Sequence, residues 1–229
     1  MFPVLHREKL AEDIYRLDIR APRISSNYQT GQFVIIRPSE TGERIPLTVA
    51  DADPQALSIT VVVQAIGQST RTLAEHEPGD ELKDVVGPLG EPTELGEFEH
   101  VVCCGGGVGI ALIWPIARAL RRTAGRVTGI ISARTADMLI LEDEIGELCD
   151  ELQIATDDGS RGHHGFPTEV LEPMIESGEP PDGVYAVGPV PMMSAISDLT
   201  RPKGIKTVVS LNPIMVDGTG MCGGCRVSV

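Results

Sequence analysis

"VVCCGGGVGIALIWPIARAL" spans Val101–Leu120 and holds the turn on which the reading of the fold depends. It opens with a short apolar run and closes with a longer one that carries Arg118. Between them stand Gly105, Gly106, Gly107 and Gly109, with Val108 inside the loop. A strand entering a helix through glycines can bring its backbone against a pyrophosphate. The helix start adds N–H groups and a partial positive charge. The spacing is G-x-G-x-G, with Ile110 at the third position of the usual dinucleotide fingerprint. Taken alone, the loop also reads as a tight strand–helix turn with no ligand.

From about His100 onward, apolar strands alternate with helices. "HVVCC", "RVTGIIS", "LQIAT", "GVYAVG" and "IKTVVSL" read as strands; "IALIWPIARALRR", "MLILEDEIGELCDE", "FPTEVLEPMIESG" and "PVPMMSAISDLTRP" read as helices. This alternation predicts right-handed crossovers and a parallel sheet, which binds ligands at the carboxyl ends of its strands. Polar or glycine clusters follow four of the strands: the glycine loop, "SART" at 132–135, "TDDGS" at 156–160 and "VGPVPMM" at 187–193. Together they describe one ligand crevice. Asp157 and Asp158 suit ribose hydroxyls, and Gly188 and Pro189 would pass beside a flat ring. Arg134 could hold a 2′-phosphate, stack on an adenine or pair with Asp137. Cys103 and Cys104 begin the glycine loop and are expected to face this crevice. Cys149 is expected in the core, on a helix face beside Leu148 and Leu152. His163 and His164 are expected at the surface of a glycine-rich loop.

The chain before about residue 96 reads as β. "EDIYRLDIRAP" alternates, and "GQFVIIRP" and "LSITVVVQAI" are β-branched runs. Turn residues separate them at "TG" 30–31, "ADADPQ" 50–55, "EPGD" 77–80 and "GPLG" 87–90. Short strands with such punctuation predict a small antiparallel barrel. Within it, "RIPLTVAD" places Arg44 two residues before Pro46 and four before Thr48. An arginine can pair with phosphate oxygens, and a threonine hydroxyl can bond a ring nitrogen. "VVVQAIGQSTRTL" places Gly67, Ser69 and Thr70 in a polar loop after a strand. Ordinary barrel turns are the alternative for both stretches.

Composition narrows the partners. Of the 229 residues, 33 are acidic and 19 are Lys or Arg, for a net charge of −14 without any basic run. Nucleic acid and anionic membrane are therefore not expected partners, because phosphate binding needs basic patches. Aromatic content is 3%, so a flat cofactor must be held mainly by backbone and polar groups. The longest uncharged stretch, Val101–Ala117, is broken by glycines and Pro115. It falls short of the ~20 residues a membrane span requires. The start, "MFPVLHREKL", carries charges where a leader would be apolar. Five cysteines and no apparent leader predict reduced thiols in a cytoplasm.

The tail, "VDGTGMCGGCRVSV" (Val216–Val229), holds Cys222 and Cys225 at C-x-x-C spacing. A redox pair would place the first cysteine at a helix start, whereas "RVSV" that follows is strand-like. Zinc and an iron–sulfur cluster each call for four ligands. The tail offers two thiols and Asp217, so by itself it leaves the metal open.

Taken together, these features resemble the ferredoxin–NADP reductase superfamily. "RIPLT" is similar to its flavin-binding R-x-[YP]-[SL]-[ST] motif, "GQSTRTL" to its second flavin loop, "GGGVGIA" to its pyridine-nucleotide loop and "AVGPVPMM" to its late nicotinamide stretch. Nearly the whole chain is covered, in order. Within the superfamily it looks most like electron-transfer subunits that carry FAD and a [2Fe–2S] cluster, of the dihydroorotate dehydrogenase type or the NADH-dependent reduced ferredoxin:NADP oxidoreductase (sulfide dehydrogenase) type. The second type has an aspartate before C-G-x-C, as Asp217 stands here. Two departures are visible: Leu112 stands where the nucleotide loop commonly has proline, and no third cysteine follows Cys225 before Val229. The expectation is a natural protein that continues past Val229.

The resemblance implies a fold and a set of sites. The fold is an N-terminal antiparallel FAD-binding β-barrel (1–96), a C-terminal α/β parallel-sheet NAD(P)-binding domain (97–211) and a short iron–sulfur tail (212–229). FAD would be held by Arg44, Pro46, Leu47, Thr48, Val62, Gln64, Gly67, Ser69 and Thr70, with Thr48 near flavin N5. The nicotinamide nucleotide would be held by Gly105, Gly106, Gly107, Val108, Gly109, Arg134, Asp157, Gly188 and Pro189. The cluster would be held by Asp217, Cys222 and Cys225. Relatives of this look favour NAD(H), with NADP(H) open. The implied partner is a larger flavin and iron–sulfur subunit, with ferredoxin served indirectly. An electron-transfer subunit of dihydroorotate dehydrogenase or of a hydrogenase is the alternative within the class. A non-enzymatic flavin- or nucleotide-binding module is the alternative outside it.

Overall fold

The computed structural model describes residues 2–211, 215 and 221–227. The chain divides into two compact units: Met1–Thr93 together with the described tail residues, and Glu94–Leu211.

The first unit contains β1 (Phe2–Ala11), β2 (Ile14–Arg20), α1 (Pro22–Ser25), β3 (Phe33–Arg37), β4 (Ile45–Asp53), β5 (Ser58–Gln64), α2 (Gln68–Ala74), β6 (Glu81–Leu82) and β7 (Asp84–Leu89). They form one antiparallel sheet in the order β6-β1-β2-β5-β4-β3-β7. Its two edge strands are consecutive in the chain, separated only by Lys83, so the sheet curls into a nearly closed barrel. The interior is filled by alternate residues of several strands, among them Leu17, Ile19, Val34, Ile36, Val61 and Val63. Such alternation is what an antiparallel sheet with one wet face requires.

Three readings of this half need correction. β1 occupies the stretch read only as lacking a leader. Of its ten residues only Val4 and Ala11 are buried, so no period-two pattern marks it. The turn expected at 50–55 starts later, because β4 runs to Asp53. There the carboxylate Oδ1 accepts the N–H groups of Gln55 and Ala56 at 2.7 and 2.9 Å and reverses the chain. In "GPLG" the first three residues belong to β7, and only Gly90, at φ +80°, turns.

The second unit contains β8 (His100–Gly106), α3 (Gly109–Leu120), β9 (Arg126–Ala133), α4 (Glu142–Gly146), β10 (Glu151–Thr156), β11 (His163–His164), α5 (Pro167–Glu176), β12 (Gly183–Val187), α6 (Val190–Thr200) and β13 (Lys206–Val209). The six strands are all parallel, in the order β11-β10-β9-β8-β12-β13. β8, β9 and β12 are buried almost throughout, as a sheet covered by helices on both faces must be. On one face Leu171, Ile175, Met193 and Ile196 of α5 and α6 pack on Val102, Cys104, Ile130, Val184 and Ala186. On the other, α3 lays Ile110 and Ile113 over Gly105.

The helix expected over "MLILEDEIGELCDE" shrinks to α4, preceded by a 3₁₀ turn at Ala136–Met138. Leu141 takes φ +53°, and Ile140, Leu141 and Ile145 are all buried. Burial of these three apolar side chains overrides the helical propensity of the stretch. Cys149 accordingly lies on the half-buried link from α4 to β10, not on a helix face. His163 and His164 are exposed, as expected, but they form the edge strand β11, paired with Ala155 and Thr156. Among the described residues, no helix is long and apolar enough to cross a membrane.

Candidate functional site

In the second unit the chain moves outward from β8 through β9 and β10 to β11, then returns to the other side of β8 for β12 and β13. The strand order therefore reverses between β8 and β12, and a crevice at such a switch point is where open α/β sheets take ligands. The glycine loop lies at that place. Gly105 and Gly106 end β8, Val108 is the N-cap of α3 and Gly109 its first residue. A β-carbon on Gly109 would stand 2.3 Å from the Val187 carbonyl oxygen, and one on Gly105 would stand 2.9 Å from Ile110 Cα. These two glycines are required by the packing of α3 on the sheet. Gly107 differs. Its φ is +55°, and a β-carbon there would meet nothing within 4 Å. Its N–H donates to the Ser132 carbonyl at 2.8 Å, which fixes the loop to β9.

Ile110 and Ala111 donate their N–H groups to the carbonyls of Gly107 and Val108. The N–H groups of Val108 and Gly109 have no backbone acceptor among the described residues, and no side chain caps the helix. Two adjacent donors at a helix start, beside open space over Gly107, suit an anionic group.

The neighbouring strand ends are tied to this loop in sequence. Asp157 and Asp158 donate backbone N–H groups to the carbonyls of Ala133 and Arg134, at 3.1 and 3.2 Å. The Ala136 N–H donates to Ser160 Oγ at 2.8 Å. Arg134 and Asp157 are exposed at these ends. Asp137 accepts a hydrogen bond from Thr135, and no ion pair to Arg134 occurs among the described residues. The Asp158 carboxylate is engaged locally: the Ser160 hydroxyl and N–H hold it below the usual carboxylate range. Asp157 is the acidic group left facing outward. Gly188 and Pro189 lead into α6, with Pro189 exposed as its N-cap.

Cys103 and Cys104 do not face the crevice. They are buried in the middle of β8, Cys104 within the cluster under α5 and α6. Burial pushes Cys103 well up and Cys104 to about 12, so both are neutral packing residues.

In the first unit, Arg44 is exposed just before β4, while Pro46, Leu47 and Thr48 lie half-buried on that strand, with Thr48 opposite Phe33. Val62 is buried and Gln64 half-buried at the end of β5. "GQSTRTL" is not a loop but α2, with Gly67 as N-cap. Thr70 Oγ1 accepts the Gly67 N–H at 2.9 Å, so its hydroxyl helps to start the helix. Ser69 Oγ donates to Glu43 Oε2 at 3.3 Å. That contact brings the start of α2 to the loop carrying Arg44.

In the tail, Cys222 is exposed and Cys225 half-buried, and Cys222 Sγ accepts the Gly224 N–H at 3.5 Å. Asp217 lies outside the described residues. Two thiols are fewer than the four ligands a cluster needs, and no group of three or more His, Cys, Asp or Glu forms a metal site among the described residues.

No protein-family model matches the chain. The dihydroorotate dehydrogenase B (NAD(+)) electron-transfer subunit homolog of Thermotoga maritima is 45% identical over 226 residues, covering 99% of this chain and 79% of the relative. The dihydroorotate dehydrogenase B electron-transfer subunit of Bacillus cereus is 32% identical, over 97% of this chain and 85% of the relative. This chain belongs to that electron-transfer subunit family. A solved chain of the NADH-dependent reduced ferredoxin–NADP oxidoreductase, determined to explain flavin-based electron bifurcation, superposes with a TM-score of 0.93. It is 44% identical and covers 100% of this chain and 82% of its own. Phthalate dioxygenase reductase, at 20% identity and a TM-score of 0.71, shares the fold. The electron-transfer subunit family thus has the barrel and parallel-sheet architecture seen here.

Proposed function

We propose that this chain is an FAD-dependent NAD(P)H oxidoreductase subunit. It passes electrons between a nicotinamide nucleotide, a flavin and a [2Fe–2S] cluster, and exchanges them with a larger flavin and iron–sulfur partner subunit. The observation that carries the reading is the seating of Gly109 against Val187, which starts α3 at the switch point with open space over Gly107.

A bound flavin would supply hydride acceptance and single-electron release, and a cluster would supply single-electron transfer. The residues of the chain bind and orient. The N–H groups of Val108 and Gly109, with Gly105, Gly106 and Gly107 keeping the backbone bare, receive the pyrophosphate. Asp157 accepts from ribose hydroxyls, Arg134 flanks the adenosine end, and Gly188 and Pro189 border the nicotinamide. In the first unit Arg44 pairs with flavin phosphate, and Ser69 lies in the same neighbourhood through Glu43. Pro46, Leu47, Thr48, Val62, Gln64, Gly67 and Thr70 complete the flavin set, with the Thr48 hydroxyl assigned to the ring. Cys222 and Cys225 supply thiolates to the cluster and Asp217 a carboxylate; no fourth ligand is assigned. NAD(H) is the nucleotide that the relatives' names favour, with NADP(H) the alternative.

An absorbance and EPR spectrum of the purified protein, before and after NADH, tests this. The expected result is a flavin spectrum that bleaches, with a rhombic signal from a reduced [2Fe–2S] centre. Flavin without iron would remove the cluster, and a colourless protein would remove the oxidoreductase reading. The names of the relatives favour a second identity for the partner, a dihydroorotate-oxidising subunit. Copurification with a subunit that binds dihydroorotate would establish it.

A further inference from the structure

Met192 is the third residue of α6, half-buried against the cluster formed by Val102, Cys104 and Ile196. Its sulfur occupies a point that none of the assigned nucleotide residues occupies. A β-carbon on Gly106 would stand 2.4 Å from that sulfur, and one on Gly188 would stand 3.0 Å from it. Ser132 Oγ lies 3.9 Å away, directed at the sulfur and also 3.4 Å from the Gly105 carbonyl. One thioether therefore touches the carboxyl ends of β8 and β9 and the turn after β12. Those are the strand ends that flank the switch point. A methyl group at either position would meet this sulfur, and at Gly188 it would also meet the Gly106 backbone at 3.2 Å.

We infer that Met192 is a positioning residue for the nucleotide: its sulfur braces the Gly106 and Gly188 peptides just beyond the Gly105–Val187 end of the β8–β12 ladder. The inference rests on the proposed reading of this crevice as the nicotinamide-nucleotide site. A methionine suits the task, since its unbranched, polarizable thioether fills an irregular gap without clashing with two bare backbones. Removal of the sulfur lets both peptides relax into the space, and a misplacement of about 1 Å costs on the order of 100-fold in the rate of a positioned reaction.

The test is stopped-flow bleaching of the flavin in the complete, flavin-loaded protein across a range of NADH concentrations. Met192→Ala should lower the bleaching rate at subsaturating NADH on the order of tenfold, with the melting temperature also lowered because the side chain is half-buried in the cluster. Met192→Leu, which restores bulk, should recover most of that loss. Met193→Ala is the control. Met193 is buried in the same cluster but is not among the atoms nearest Gly106 or Gly188. Its truncation should lower the melting temperature and leave the NADH dependence unchanged. Should Met192→Ala be too unstable to purify, Met192→Val, too short to reach Gly188, carries the same expectation. If truncation at 192 moves only the melting temperature, as at 193, Met192 is ordinary core and the inference is overturned. A wild-type flavin that neither NADH nor NADPH bleaches would overturn the nucleotide reading itself and this inference with it.

Discussion

Gly109 and Val187 approach so closely that a β-carbon on the first would stand 2.3 Å from the carbonyl oxygen of the second. The contact joins the start of α3 to the end of β12, so the helix begins at the switch point of the sheet and cannot begin there with any other residue.

Gly109→Ala should therefore disrupt the second unit, either abolishing soluble expression or lowering the melting temperature sharply. Gly107→Ala is the informative contrast. Its added methyl meets no atom within 4 Å, and the left-handed φ costs only about 1–2 kcal/mol. That variant should fold but bind NADH poorly, because the methyl fills the space assigned to the pyrophosphate. Thermal unfolding and NADH titration on the same two proteins check both halves. Unimpaired NADH binding by Gly107→Ala would count against the assigned site.

Tyr185 should prove structural. Its hydroxyl donates to the Glu94 carbonyl at 2.8 Å and accepts the Gly96 N–H at 3.2 Å, while its ring packs edge-on to Phe98 at 5.9 Å. Tyr185→Phe leaves the Gly96 donor without that partner and should cost about 1–3 kcal/mol in chemical denaturation. Flavin content should be unchanged.

Thiol chemistry should separate the cysteines into two classes. At pH 8 iodoacetamide should modify the exposed Cys222 first and leave Cys103 and Cys104 untouched until unfolding, as peptide mass spectrometry will show. Burial also pushes Cys149 up to about 11 and Cys104 to about 12, from an ordinary 9.0. Between about pH 9 and 11 the unfolded chain has therefore released thiol protons that the folded chain retains. Stability is whole below pH 9 and should fall as pH rises through this window. Cys149→Ala should flatten part of that decline.

Cys222→Ser and Cys225→Ser should each abolish iron incorporation while leaving the flavin spectrum intact, since neither residue belongs to the assigned flavin set. Asp217→Cys should keep the iron and shift its EPR signal, because a thiolate replaces a carboxylate. Metal analysis and EPR read these outcomes, and iron retained by both serine variants would remove the tail from the cluster site.

Most of the second unit was legible in the sequence because buried parallel strands are continuous apolar runs and their connections are glycine-rich. "HVVCC" and "GVYAVG" could hardly be anything else. The weak points had physical causes. β1 carries four consecutive polar or charged residues, His6–Lys9, on both faces, so burial of Val4 and Ala11 alone leaves no period. The α4 stretch has helix-forming composition, yet Leu141 turns left-handed to bury itself with Ile140 and Ile145. "GQSTRTL" has the hydroxyls and glycine of a loop, and only the Thr70–Gly67 bond reveals a helix start.

By itself the sequence determined the order of barrel, parallel sheet and cysteine tail, because strand and helix periods and glycine spacing are local properties of the chain. It also located the glycine loop. Only the tertiary structure decided why each glycine is there. Gly105 and Gly109 yield to the packing of α3, Gly106 and Gly188 lie against the sulfur of Met192, and of these five only Gly107 borders open space. The most distant of those atoms belong to Val187 on β12 and Met192 on α6, some eighty residues along the chain, and they reach the glycine loop only because the strand order reverses between β8 and β12.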